Sequence, residues 1–437
     1  MIHPRLILSW LSITLFFSIS LSAQDSSDYF NATFLRYENH IYKPEIKTVI
    51  LSRKGFPLSD PVIQLNTDEK LVLTFDDLTP EVNDYSYRWI HCAANWEPST
   101  LLSESDYIDG FFTDHIINYR HSFNTLEEYF HYSLEFPNAQ MRPMISGNYL
   151  LVIYSNDKPD ESIITERFWV VDSKVEVQSF IHRASEISLR NTHQEIDFKL
   201  QLNTLKVANP YADIKVTIVQ NNRWDAAITN LKPVFALDGL LDYNYEEGNL
   251  FNAGNEFRNF DLRTTRFQTQ YVSQILQDSV THHYSYILKP DLRRSTQRYS
   301  TEDDINGRYL IKIYDDRDGD LEGDYVNVSF QLPVLEEADS GSFYIFGQLT
   351  NWNLEPWAKM KYKEETHQYE QTITVKQGYY NYEYIFQPMI KLPSDIAETE
   401  GSHYETENDY AFFVYYKDIA ARYDHLVGYR LINSRKQ

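Results

Sequence analysis

Cysteine is all but absent: Cys92 is the one thiol in 437 residues, so no internal disulfide can staple the fold. The paired C-x-x-C clusters of structural zinc sites are likewise excluded. Glycine (14) and proline (16) are sparse, which rules out collagen-like and low-complexity chains. Basic residues are in deficit, with 40 Lys plus Arg against 63 Asp plus Glu and a formal charge of -23. Such a surface repels phosphates, so neither nucleic acid nor an anionic bilayer is expected as the main partner. Beyond the N-terminus no apolar run approaches the ~20 residues of a membrane helix, and direct membrane insertion is not expected. The signatures G-x-S-x-G, H-E-x-x-H, G-x-x-x-x-G-K and G-x-G-x-x-G are missing as well. His91 adjoins Cys92, but neighbours on a strand point to opposite faces, so the two do not meet as base and nucleophile. No catalytic residue and no cofactor is expected, and the chain reads as a non-enzyme.

What the chain has is aromatic and apolar side chain: 42% hydrophobic residues, 34 Tyr and 25 Phe. At roughly 100–200 residues per domain this length implies two to four packed cores. Strict alternation recurs at Phe130, Tyr132, Leu134 and Phe136, at Phe198, Leu200 and Leu202, and at Ile214, Val216 and Ile218. It returns at Val326, Val328, Phe330 and Leu332, and at Tyr369, Gln371, Ile373 and Val375. Period two means half-buried strands. With no long amphipathic helix between them, the expected fold is all-β, with tandem immunoglobulin-like β-sandwich domains. Arg5, the apolar stretch Leu6 to Leu21 and the small residues Ser22 and Ala23 form a cleavable signal peptide, residues 1–23. The expected domains are 24–171, a second β-rich unit with long loops at 172–333, and an immunoglobulin-like unit at 334–437. The acidic stretch Leu335 to Gly341 is the expected joint between the last two.

Three groups of residues are candidates for function. Asp316, Asp318 and Asp320 lie in a carboxylate run that could wrap a hard cation. The EF-hand pattern fails there, however, because Leu321 stands where its glycine belongs. The favoured reading is a polar hairpin turn between strands 309–314 and 325–332, and no metal is expected. The stretch Gly254 to Phe267 interleaves Arg258, Arg263 and Arg266 with Phe257, Phe260 and Phe267 in an otherwise acidic chain. Arginine and aromatics anchor interfaces, so Asn255, Arg258, Phe260, Arg263 and Arg266 are candidate partner-binding residues. An internal lock, with the arginines paired to acids and the phenylalanines in a core, fits the same residues. The acid-rich segment Asp395 to Asp409 reads as a solvated loop.

Several segments resemble the plug protein family of the type IX secretion system of Bacteroidetes. They are Ile46 to Val49, Leu58 to Ile63, Phe75 to Leu78, Ile90-His91-Cys92 with Asn95-Trp96, and His131-Tyr132 with Phe136-Pro137-Asn138. Further along they are Gln220 to Asp225, Leu231-Lys232-Pro233, Asn255 to Arg266 and Asp304 to Gly307. The resemblance implies that 24–171 and 172–333 are plug domains. It also implies an exported, non-enzymatic protein on the periplasmic side of the outer membrane, a monomer on its own. Its partner would be the giant outer-membrane translocon β-barrel of that system, whose periplasmic opening it seals when idle. The last segment is similar to the immunoglobulin-like starch-binding module of glycogen-branching enzymes, through Phe343 to Asn353 and Gly378 to Tyr384. That likeness implies a glycan platform at Trp352 or Trp357, and a periplasmic or surface glycan-binding protein is the alternative function.

Overall fold

In the computed structural model the described residues are 34–436, apart from 238, 246–247, 316, 390–392 and 418–419. The expected signal peptide at 1–23 and the candidate Asp316 lie outside them. The chain is all-β, as expected, and the longest described α-helices have four residues.

The strands form three two-layered sandwiches. In the first, one sheet runs in the order His40–Ile41, Lys158–Val171, Gly147–Ser155, Tyr85–Cys92 and Thr113–Ile116. The facing sheet runs Ile46–Arg53, Leu71–Asp77, Phe130–Phe136 and Asn118–His121. Alternate residues point inward, so Leu71, Leu73 and Phe75 meet Trp89, Phe136, Tyr149 and Phe168 in one core. Burying each such side chain contributes roughly 1.5–3 kcal/mol. The strand Gly147–Ser155 departs from alternation, because Gly147 through Tyr154 are all buried. Its second face, with Leu150 and Val152, packs against Val219, Phe413 and Leu426 from the next sandwich. A strand covered on both sides reads as a continuous apolar run.

The second sandwich joins a sheet of Glu176–Arg183, His193–Gln201, Leu240–Asp242 and Phe235–Leu237 to one of Ile228–Thr229, Ile214–Gln220, Asp409–Tyr416 and His425–Asn433. The third pairs Arg258–Asp261, Tyr309–Ile311 and Gly341–Phe346 with the long strand Gly378–Pro388. Its other sheet contains Val272–Gln277, Tyr284–Leu288, Tyr325–Pro333, Gln368–Lys376 and Lys361–Lys363.

These pairings cut across the expected boundary at 333/334. Ile214–Gln220 bonds along its whole length to Asp409–Tyr416, and strands on both sides of Leu335 to Gly341 fill a single core. The third sandwich is therefore inserted into the second, and the acidic stretch is a loop inside it. The segment expected as a separate starch-binding-like unit is divided between two sandwiches. The hairpin expected around Asp318 is also absent: Tyr309–Ile311 and Tyr325–Pro333 belong to opposite sheets, and the acidic run crosses between them.

Candidate functional site

The three sandwiches meet around a cleft of about 320 Å³, lined among others by Asp60, Glu166, Arg167, Asn222, Arg308 and Trp352. Three tight turns deliver side chains to it, and they share one geometry. Asn221 and Asn222 both have positive φ, and the Arg223 N–H donates back to Gln220 O at 2.8 Å. Asn306 and Gly307 repeat the pattern before Arg308 (3.2 Å to Ile305 O), and Asn351 and Trp352 repeat it before Asn353 (3.0 Å to Thr350 O). Two successive left-handed residues define the tight type I′ turn, and asparagine and glycine enter that region at the least cost. Gly307 is required twice over, since a Cβ there would also collide with the Trp352 and Phe257 rings.

The turns carry charge into the joint. Arg308 Nη2 donates to Asp60 Oδ1 at 2.6 Å, and the Tyr429 hydroxyl donates to the other oxygen at 2.8 Å. The first sandwich is thus bonded to both others through one carboxylate. Asn222, with its amide turned toward them, bridges Asp60 (3.1 Å) and Arg308 (2.9 Å). Trp169 stacks on Trp224 at 5.4 Å, and Arg167 lies 4.3 Å over the Trp96 ring. A second clamp joins the first and third sandwiches. Asp76 accepts hydrogen bonds from Lys376 Nζ (2.6 Å), Tyr325 (2.7 Å) and His131 Nδ1 (2.7 Å). Asp76 and Lys376 side chains are 0% and 1% exposed. The charged groups of these two clamps are committed to one another, which fixes the geometry of the joints.

The Asn255 to Phe267 stretch is divided by the fold. Phe260 is wholly buried and stacks on Tyr380 at 5.1 Å. Arg258 is buried as well: its Nε reaches both Glu400 oxygens at 3.0 Å, Nη1 reaches Asp291 at 3.0 Å and Nη2 donates to Leu292 O at 2.8 Å. Arg294 also holds Glu400 (2.8 Å), and Asn255 donates to the Glu400 carbonyl (2.8 Å). These acids hold the Arg258 guanidinium above its usual range against the cost of burial. Arg258 and Phe260 are therefore buried in the third sandwich and present no contact surface, a correction to their reading as partner-binding residues, and the partly buried Asn255 is tied to the same Glu400. Glu400 is correspondingly not part of a solvated loop, because two arginines draw it inside. Arg263 pairs with Asp261 at 2.6 Å while partly exposed, and Arg266 reaches Asp315 with 74% of its side chain exposed. Arg258→Met removes the cation from Asp291, which keeps the Tyr382 and Tyr384 hydroxyls, and leaves Glu400 with Arg294 and the Tyr384 N–H; it is expected to cost roughly 3–5 kcal/mol. Arg266→Glu should change stability by less than about 0.5 kcal/mol; thermal melts of the two variants check the contrast.

The other candidates are also placed. Asp318 caps the short helix Gly319–Glu322 and faces Arg120 at 3.5 Å, whereas Asp320 lies 3.9 Å from His131. The two point to different partners and do not assemble a cation site. Trp352 packs between Phe346 and Phe257 (5.7 and 6.1 Å), so it is not an open sugar platform, whereas Trp357 is 42% exposed. Cys92 is buried and its thiol is pushed up to about 12 by burial. His91 bonds Ser99 Oγ at 2.8 Å, with burial lowering it to about 4. Lys376 and Glu400 escaped the sequence reading because their ion-pair partners lie 106 to 300 residues away.

Residues 46–172 match the family model for the type 9 secretion system plug protein 1st domain. A crystal structure of a hypothetical protein from Parabacteroides merdae ATCC 43184 is similar at 32% identity, covering 92% of this chain and 100% of that one with a TM-score of 0.88. An alkylpurine DNA glycosylase from Pseudomonas fluorescens aligns at 13% identity over 29% of this chain and 30% of its own. Its TM-score of 0.17 carries no structural likeness. No curated protein sequence matches. The chain thus belongs to the same family as the Parabacteroides merdae protein, and its first sandwich matches the first domain of type 9 secretion system plug proteins.

Proposed function

We propose that this chain is a non-enzymatic plug subunit that docks on the periplasmic opening of the giant outer-membrane translocon barrel of the type IX system and seals it when idle. The match of residues 46–172 to the plug first domain carries this reading. Exported and monomeric until it docks, the protein works as a rigid body. Three close-packed sandwiches resist compression, and the buried clamps at their joints keep them from hinging. No helix among the described residues is long and apolar enough to cross a membrane.

The first sandwich offers the contact. Its two sheets end side by side in the edge strands Thr113–Ile116 and Asn118–His121, with Phe111 (64% exposed), Ile117 (85%) and Tyr119 (45%) on or beside them. Unpaired strand edges with apolar side chains invite another protein. Crosslinked pull-down of the tagged chain from native outer membranes should recover a very large β-barrel in near-equal amount. Phe111→Asp with Ile117→Asp should cut that recovery about tenfold, with the melting temperature unchanged. Recovery of no barrel, where the barrel is intact and abundant, would overturn the proposal.

A further inference from the structure

On the second sandwich, His182 lies directly opposite Glu195 across an antiparallel pair, and Asp197 is two residues further along the same strand. Their strand neighbours Ile181, Ile196 and Phe198 fill the core, so these three side chains share the outward face. His182 Nε2 is 3.0 Å from Asp197 Oδ2 and 3.9 Å from Glu195 Oε1. One ligand atom from each residue falls within 4.8 Å of the others. We propose that His182, Glu195 and Asp197 form a binding site for a first-row divalent metal ion, of which Zn²⁺ is the type.

The groups behind the three argue for a built site rather than a chance meeting. His182 Nδ1 lies 2.7 Å from the Arg183 carbonyl. A carbonyl only accepts, so Nδ1 carries a proton and Nε2 is the ring atom turned to the two carboxylates, the orientation that metal-bound imidazoles adopt; without a metal Nε2 donates a proton to Asp197 Oδ2 at 3.0 Å, and a bound ion would displace that proton. Asn249 is wholly buried, and its amide nitrogen holds Asp197 Oδ1 (3.2 Å), which leaves Oδ2 for the site. The Asn249 Oδ1 has no hydrogen-bond partner. Ser185 fixes Glu195 through its N–H (2.5 Å) and hydroxyl (3.2 Å). Each ligand is thus oriented by its own second contact. Around a tetrahedral ion with bonds near 2.0–2.2 Å, donors stand roughly 3.3–3.6 Å apart, so Glu195, 3.9 Å from His182 and within 4.8 Å of Asp197, has to shift inward to complete the site. Glu195 is nearly sealed (2% exposed side chain), while His182 (26%) and Asp197 (17%) open to solvent, leaving room for water as a fourth ligand. One imidazole with two carboxylates suits zinc or manganese better than copper(I) or an iron–sulfur cluster.

The competing arrangement is an imidazolium held between two carboxylates, and metal analysis separates the two. The tag-free chain is stripped with chelator and dialysed to equilibrium against Zn²⁺ or Mn²⁺, and bound metal is counted. The site predicts one equivalent of one of these ions at about 10 µM free metal, with affinity reduced about tenfold or more in His182→Gln and in Asp197→Asn. Asp197→Asn carries the comparison by itself should His182→Gln fail to fold. Sub-stoichiometric binding of both ions to the wild-type chain, or binding undiminished in the folded variants, would overturn it.

Discussion

Lys376→Met is expected to destabilise the protein by roughly 3–5 kcal/mol, because it leaves Asp76 charged and buried without its cation. Asp76 lies on the strand Leu71–Asp77 of the first sandwich and Lys376 ends the strand Gln368–Lys376 of the third, so the loss falls on the joint between them. The Tyr325 and His131 hydrogen bonds remain but cannot replace a full positive charge. Lys376 Nζ also donates to Asp320 O (2.7 Å) and lies 4.1 Å over the Tyr129 ring, and both contacts go with it. Asp76→Asn added to Lys376→Met should restore part of the loss, since the stranded charge disappears, and the coupling should be about 1–3 kcal/mol. Denaturant titration of the single and double variants measures this. A double variant as unstable as the sum of its singles would show that the pair does not act as a unit.

The second large effect concerns pH. Glu166 is 4% exposed beside the three-way cleft, and burial pushes its carboxyl up to about 8, offset only in part by Arg167. That arginine is itself committed to the Tyr37 carbonyl at 2.8 Å. Burial also raises Glu383 to about 8, with Arg223 lowering it in part, and raises Asp304 and Glu355 to about 7. A carboxyl whose folded value lies above its unfolded one binds its proton more tightly when folded. The stability it contributes is fully present below about pH 4.5 and is lost as pH rises through 8. Glu166→Gln, which mimics the protonated acid, should match the wild-type protein at pH 5 and exceed it by roughly 2–4 kcal/mol at pH 9. Stability curves that stay parallel across this range would show that Glu166 does not titrate in this way.

Strand content was legible because period-two alternation is a local signal. Phe130 to Phe136 and Val326 to Leu332 needed nothing beyond their own pattern. Connectivity was not legible, since no local feature of Ile214 to Gln220 announces that its partner is Asp409 to Tyr416. The Arg258 stretch was identified as unusual, yet composition cannot separate a buried lock from an exposed anchor. That distinction rests on Glu400, which sits in a segment whose acidity suggested solvent. The metal candidates show the same limit. The Asp run was conspicuous, yet Asp318 and Asp320 turn to different partners, whereas His182, Glu195 and Asp197 come together only across a strand pair. The turn at Asn221-Asn222 was readable as a turn, but not as a corner on which three sandwiches meet.

The insertion of one sandwich into another sets the order in which the molecule can be made. Residues 40–171 hold all the strands of the first sandwich and can close as soon as that much of the chain is available. The middle sandwich cannot, because the strand Ile214–Gln220 waits for Asp409–Tyr416, almost the whole remaining length of the chain. Until then the strand has only the two-residue Ile228–Thr229 beside it, and its other edge is unpaired. Such non-local pairing folds slowly and exposes sticky edges meanwhile. The part of the protein that matches the plug domain is thus the first able to mature, and the sandwich that bears the proposed metal site is the last to close.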